Sequence, residues 1–135
     1  MPATQHFAMG CIDRISQERF YAKHFGFRRA RVFNAGTPNE FVMARLGGMC
    51  IEFFGGAPAE ARGGEQSVGF RHLAFEVEDM EAKIAELQAD GVKTGEIIDC
   101  SGVTPGMRVC FFNDPEGNVL EIMQGWRDEE NPPSL

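Results

Sequence analysis

Two stretches of the chain open on a histidine, alternate apolar and polar positions, and then change to a helical pattern. The first reads HFAMGCID from His6 and the second HLAFEVED from His72, with Asp13 and Asp79 each seven residues after its histidine. Alternation with period two marks a strand with one face in the core. The segment from about Ser16 to Phe25 then carries Phe20, Tyr21 and Phe25, and that from about Met80 to Asp90 carries Met80, Ile84 and Leu87. The second set falls on one face of a helix. Gly26 and Gly91 follow these segments, where a helix terminus favours a residue free to adopt left-handed backbone. Further strand-like runs are Arg29–Asn34, Glu40–Leu46 and Met49–Phe54 in the first half, and Val92–Ile98, Met107–Asn113 and Val119–Met123 in the second. The composition of Asn113–Asn118 predicts a turn that pairs the last two strands as a hairpin.

Each half therefore reads β-α-β-β-β. The expected layout is a first module over about 1–56, a connector over about 57–68 rich in Gly, Ala and charge, a second module over about 69–125, and a loose tail over 126–135. The class is α+β, with two βαβββ modules forming a curved mixed sheet around a cavity.

Strand alternation then singles out four polar residues. Side chains of a strand point alternately to its two faces. His72, Ala74 and Glu76 share one face, with Leu73, Phe75 and Val77 opposite. Glu52 lies opposite Ile51 and Phe53, Glu121 opposite Leu120 and Ile122, and His6 opposite Phe7 and Met9. A sheet whose apolar face packs on a helix leaves its other face to line a cavity. Two imidazoles and two carboxylates there suit a divalent metal such as nickel, cobalt, zinc, manganese or iron(II). A metal with two further positions open would polarise a carbonyl, and a carboxylate beside it could transfer a proton.

Composition narrows the partners. The chain has 135 residues, 43% of them hydrophobic, and a net charge of −7. That length supports a real core, and the acidic balance argues against nucleic acid, which demands a basic face. No apolar run reaches the roughly 20 residues that span a bilayer, and the start lacks the order of a secretory signal. The expectation is a cytoplasmic protein acting on a small molecule, without a membrane. Cys11, Cys50, Cys100 and Cys110 form no CxxC pair. Three sit in apolar stretches and are expected to be buried, reduced thiols, while Cys100 falls in a loop.

From His6 to Gln124 the chain resembles the vicinal oxygen chelate superfamily, which includes glyoxalases, bleomycin resistance proteins and dioxygenases. The resemblance rests on Asp13, Phe20-Tyr21 and Gly26-Phe27 in the first half. In the second it rests on HLAFEVEDMEA from His72 and, most specifically, DPEGNVLEIMQ from Asp114. It implies a glyoxalase-like fold with metal ligands on the first and last strands of each module, at His6, Glu52, His72 and Glu121. The His, Glu, His, Glu order is similar to bacterial glyoxalase I, whose metal is commonly nickel or cobalt. That implies lactoylglutathione lyase-type isomerisation of a 2-oxoaldehyde adduct through an enediolate, with Glu121 or Glu52 as base. It also implies a homodimer, with sites closed within a chain or across two. In the second case a site draws His6 and Glu52 from one subunit and His72 and Glu121 from the other.

Two positions depart from that enzyme. Gly10 and Gly56 stand where bacterial glyoxalase I usually has the arginine and asparagine that help to hold glutathione. Arg14, Arg45, Arg71 and Arg108 are the candidates for a different anion contact. Within the same family, methylmalonyl-CoA epimerase usually has glutamine at one ligand position. Extradiol dioxygenases and fosfomycin-modifying transferases use two histidines and one glutamate. The alternative from another class is a metal-free, drug-sequestering protein of the bleomycin-resistance kind, which usually lacks the ligand set.

Overall fold

The structure is a computed structural model and describes residues 3–58 and 70–134. The expected connector, beyond its first two residues, lies outside the described residues. Two compact units are present. The first contains β1 (His6–Gly10), α1 (Arg14–Phe25), β2 (Arg28–Phe33), β3 (Phe41–Leu46) and β4 (Met49–Phe54), and also takes in the turn Asp114–Gly117. The second contains β5 (Leu73–Glu76), α2 (Met80–Ala89), β6 (Ile98–Asp99), β7 (Arg108–Asn113) and β8 (Val119–Gln124).

The two units repeat one topology. The sheet orders are β1-β4-β3-β2 and β5-β8-β7-β6. In each, the first strand lies parallel to the last, and the remaining pairs are antiparallel. The parallel pair follows from the helix, because a crossover returns the chain in its original direction whereas a tight hairpin reverses it. Asp13 and Asp79 start the helices. Asp13 accepts from Ser16 N at 3.1 Å and Asp79 from Ala82 N at 2.9 Å, each satisfying a backbone donor that a helix leaves unpaired. Gly26 ends α1 in left-handed backbone, and Gly91 follows α2 in the same conformation.

One face of each sheet is apolar and buried. In the first unit Met9, Val42, Ala44, Ile51 and Phe53 are buried, as are Phe20 and Tyr21 of α1. In the second, Phe75, Cys110, Phe112, Leu120 and Ile122 are buried with Met80 and Leu87 of α2. Burying each such large side chain stabilises by about 1.5–3 kcal/mol.

The sequence motif DPEG is built into the first unit. Asp114 Oδ2 accepts from Gln17 Nε2 at 2.9 Å and from the Tyr21 hydroxyl at 2.8 Å. Its Oδ1 accepts from Glu116 N at 3.0 Å. The Glu116 carboxylate accepts from the backbone N–H groups of Ile12 (2.7 Å) and Asp13 (2.5 Å), just ahead of α1. A carboxylate there also complements the positive end of the helix dipole. Burial, and then the Asp114 charge, push the Tyr21 phenol far above its ordinary range.

Two readings are corrected. The strand expected over Val92–Ile98 is reduced to Ile98–Asp99 plus an isolated bridge from Thr94 to Phe112. The amide of Val92 turns back to Leu87 O at 3.0 Å, closing α2 instead of opening a strand. From there to β6, Thr94 and Ile98 pair with Phe112 and Val109. Four steps on one side face three on the other, so a bulge breaks the ladder. His72 lies just before β5 rather than within it. The tail from Trp126 has no helix or strand among its described residues, and its indole N–H donates to Asp128 at 2.9 Å. The thiols of Cys11, Cys50 and Cys110 are buried and that of Cys100 is half-buried. No described helix is long and apolar enough to cross a membrane.

Candidate metal centre

Each unit brings its own histidine and glutamate together. His6 Nε2 lies 3.0 Å from Glu52 Oε1, and His72 Nε2 lies 2.9 Å from Glu121 Oε2. The same imidazole nitrogen faces the carboxylate both times. The local cause is also the same. Ala8 stands opposite Glu52 in the β1–β4 register, and Ala74 opposite Glu121 in the β5–β8 register. The histidine comes two residues before that alanine, on the same face. A methyl group opposite the glutamate leaves room for the imidazole to reach diagonally across the parallel pair. On the glutamate's other side stands a larger apolar residue, Met43 or Phe111. The edge of the Phe111 ring meets the His72 ring, with centroids 5.4 Å apart.

Exposure repeats as well. The imidazoles are 42% and 30% exposed and the carboxylates only 13% and 11%. The carboxylate is thus held by the sheet while the imidazole borders open space.

His6 has a further contact. Its Nδ1 hydrogen-bonds Gln5 Oε1, and the Gln5 amide nitrogen lies 3.7 Å from Met43 Sδ. Which ring nitrogen of His6 donates depends on its tautomer.

The donor set fits a metal ion. Donors about 2.1 Å from an ion are about 3.0 Å apart at adjacent octahedral corners, against about 3.4 Å in a tetrahedron. The observed separations of 3.0 and 2.9 Å match the octahedral value and equally serve an ordinary hydrogen bond. Two carboxylates and two neutral imidazoles would balance a divalent charge. Among the described residues, no group of three or more His, Cys, Asp or Glu side chains is gathered for a metal. The structure thus brings the ligand candidates together as two pairs, one in each unit.

The other singled-out residues fall out differently. Arg14 is tied to Glu40 at 2.9 Å and lies 3.6 Å from Glu18. Arg108 pairs with Glu81 at 2.5 Å and holds that carboxyl well below its usual range, at about 2. Both are structural cations, and Arg71 also has an interaction of its own. Arg45 has no ion-pair partner among the described residues. A Cβ at Gly10 would meet only Ala57 Cβ, at 3.5 Å, so space for a side chain exists there. Gly56 has φ +79°, a conformation that glycine adopts freely and asparagine tolerates better than most.

Gln5, which orients His6, escaped the sequence reading, since a lone glutamine beside a histidine carries no pattern. The helix-starting role of Asp13 was legible in its spacing to Ser16, an aspartate three residues before a backbone donor it can reach.

Paired βαβββ units, each with a histidine–glutamate pair on the open face of its sheet, define a class of protein. The model of the Glyoxalase/Bleomycin resistance protein/Dioxygenase superfamily matches residues 5–122, and the chain belongs to that superfamily. It is 33% identical to YaeR of Escherichia coli over 122 residues, 88% of this chain and 93% of that protein. The crystal structure of SMU.1112c is 30% identical with a TM-score of 0.70, over 91% of this chain and 98% of the other. The crystal structure of a glyoxalase family protein from Enterococcus faecalis is 28% identical with a TM-score of 0.68, over 87% and 94%.

Proposed function

We propose that this protein is a metal-dependent glyoxalase-like enzyme in which His6, Glu52, His72 and Glu121 hold one divalent ion. The observation that carries the reading is the repeated pair, the same imidazole nitrogen 3.0 and 2.9 Å from a carboxylate in both units. The same atom, the same alanine opposite and the same open imidazole recur in both units, and this supports the reading. When bound, the ion would supply Lewis acidity toward the paired oxygens of a substrate.

The chain's own residues supply the rest. Gln5 lies against Nδ1 of His6, the ring nitrogen away from Glu52. Glu52 and Glu121 are set in their sheets with one side toward the open face, and one of them takes a proton from carbon next to a carbonyl and returns it to the neighbouring carbon. The reaction is an isomerisation of a 2-oxoaldehyde adduct through an enediolate, of the lactoylglutathione lyase type. Gly10 and Gly56 offer no side chain to a glutathione moiety, so the adduct's thiol is bound otherwise than in bacterial glyoxalase I. The active form is a cytoplasmic homodimer, a state that light scattering on a sizing column checks.

Metal analysis is the test. Protein prepared without an affinity tag should hold about one divalent ion per four-ligand set and gain stability from nickel, cobalt or zinc. His72→Ala or Glu121→Ala should abolish loading while leaving the far-ultraviolet spectrum intact. Absence of both metal uptake and stabilisation would overturn the reading and leave a metal-free binding protein in its place. Loaded protein is then screened against glutathione hemithioacetals and CoA thioesters.

A further inference from the structure

The first unit also presents an unbalanced pair of cations. Arg28 on β2 and Arg45 on β3 are directly opposed in the antiparallel register. Like charges in that position repel. Among the described residues neither guanidinium has a hydrogen-bond or ion-pair partner, in a chain with net charge −7. Both border an open depression of about 410 Å³, shared with Gly26, Arg29 and Gly47. Arg29 is held by Glu18. Among the described residues no acidic side chain lines the depression. Gly26 and Gly47, in left-handed backbone, end α1 and follow β3 without side chains to obstruct it.

We propose that Arg28 and Arg45 form an oxyanion site that takes the phosphoryl group of a small molecule. A guanidinium presents paired N–H donors in a rigid fork that matches phosphate oxygens. Two such forks side by side suit a dianionic phosphate, whose several oxygens can serve both. A carboxylate offers one charge and two oxygens, and leaves half of the repulsion in place. The site shares no residue with the histidine–glutamate pairs and does not depend on the metal reading.

The test uses inorganic phosphate as probe, in EDTA so that bound metal cannot contribute, at constant ionic strength. Wild-type protein should give a saturable phosphorus-31 shift, and acetate should not compete for it. Arg28→Gln and Arg45→Gln should each weaken binding about tenfold or more, the loss expected for a charge-assisted contact. Arg127→Gln, which removes the same charge from the tail, should bind as wild type. Without phosphate and at low salt, Arg28→Gln should melt at a higher temperature than wild type, because the opposed charge is gone. The proposal is overturned if wild type shows no saturable binding. It is equally overturned if Arg127→Gln loses as much as Arg28→Gln, since net charge alone would then explain the effect, or if acetate displaces phosphate at equal concentration.

Discussion

Replacing Asp114 by alanine tests how the DPEG turn secures the first unit. Asp114 is 4% exposed, while Gln17 and Tyr21, which donate to its Oδ2, are fully buried. Removing the carboxylate takes this acceptor from both donors. Gln17 Nε2 keeps only its weaker contact to Met9 Sδ at 3.3 Å, and Gln17 Oε1 is already without a partner. A buried donor left unpaired costs about 1–3 kcal/mol, and with the Gln17 contact to Met9 retained Asp114→Ala should cost about 2–3 kcal/mol, a large share of a typical domain's 5–15 kcal/mol. An asparagine at this position would fare little better. Its single oxygen can face Gln17 and Tyr21 or the Glu116 amide, but not both, and Asp114→Asn should cost about 2 kcal/mol. The assay is urea unfolding followed by far-ultraviolet circular dichroism. Tyr21→Phe should cost about 1 kcal/mol in wild type and should cost nothing, or restore stability, in the Asp114→Ala background, where the hydroxyl has lost this acceptor. If Asp114→Ala costs under about 1 kcal/mol, or Tyr21→Phe costs the same in both backgrounds, the carboxylate is not what holds these donors.

Other consequences are as direct. Tyr21 is the single tyrosine of the chain, so phenolate absorbance at alkaline pH reports it alone. Its folded pKa is raised, so the stability it contributes is full below the unfolded value of about 10 and is lost as pH rises beyond it. Ionisation should therefore coincide with unfolding, and a phenolate signal from folded protein near pH 10 would refute the buried contact. Burial pushes the Cys11 thiol up to about 12 and raises Cys110, and Cys50 is fully buried. A disulfide reagent should label Cys100 promptly in native protein and all four thiols only in denaturant; a second fast thiol would contradict the packing. A Cβ at Gly125, where φ is +87°, would lie 2.8 Å from Gly106 O. Gly125→Ala should cost about 2 kcal/mol or more through strain and displaced backbone, measured by the same urea titration.

Much of this architecture was legible because it is local. Period-two alternation placed β1, β4, β5 and β8, and the recurrence of histidine, aspartate and glycine at matched positions exposed the repeat. The same alternation put Glu52 and Glu121 opposite their apolar neighbours, which is a property of any strand. It failed over Val92–Ile98, since a bulge arises from how two segments meet and leaves little trace in either. What only tertiary structure decided is who faces whom. Strand order brings His6 beside Glu52 and His72 beside Glu121, because the helical crossover makes the first strand of each unit lie parallel to the last. Hydrophobic pattern fixes which face a residue takes. The register between strands far apart in sequence fixes its neighbour on that face. That is why four residues were nameable from the chain alone and grouped by module, while the direct contact within each pair, the buried role of Asp114 and the opposed arginines were not.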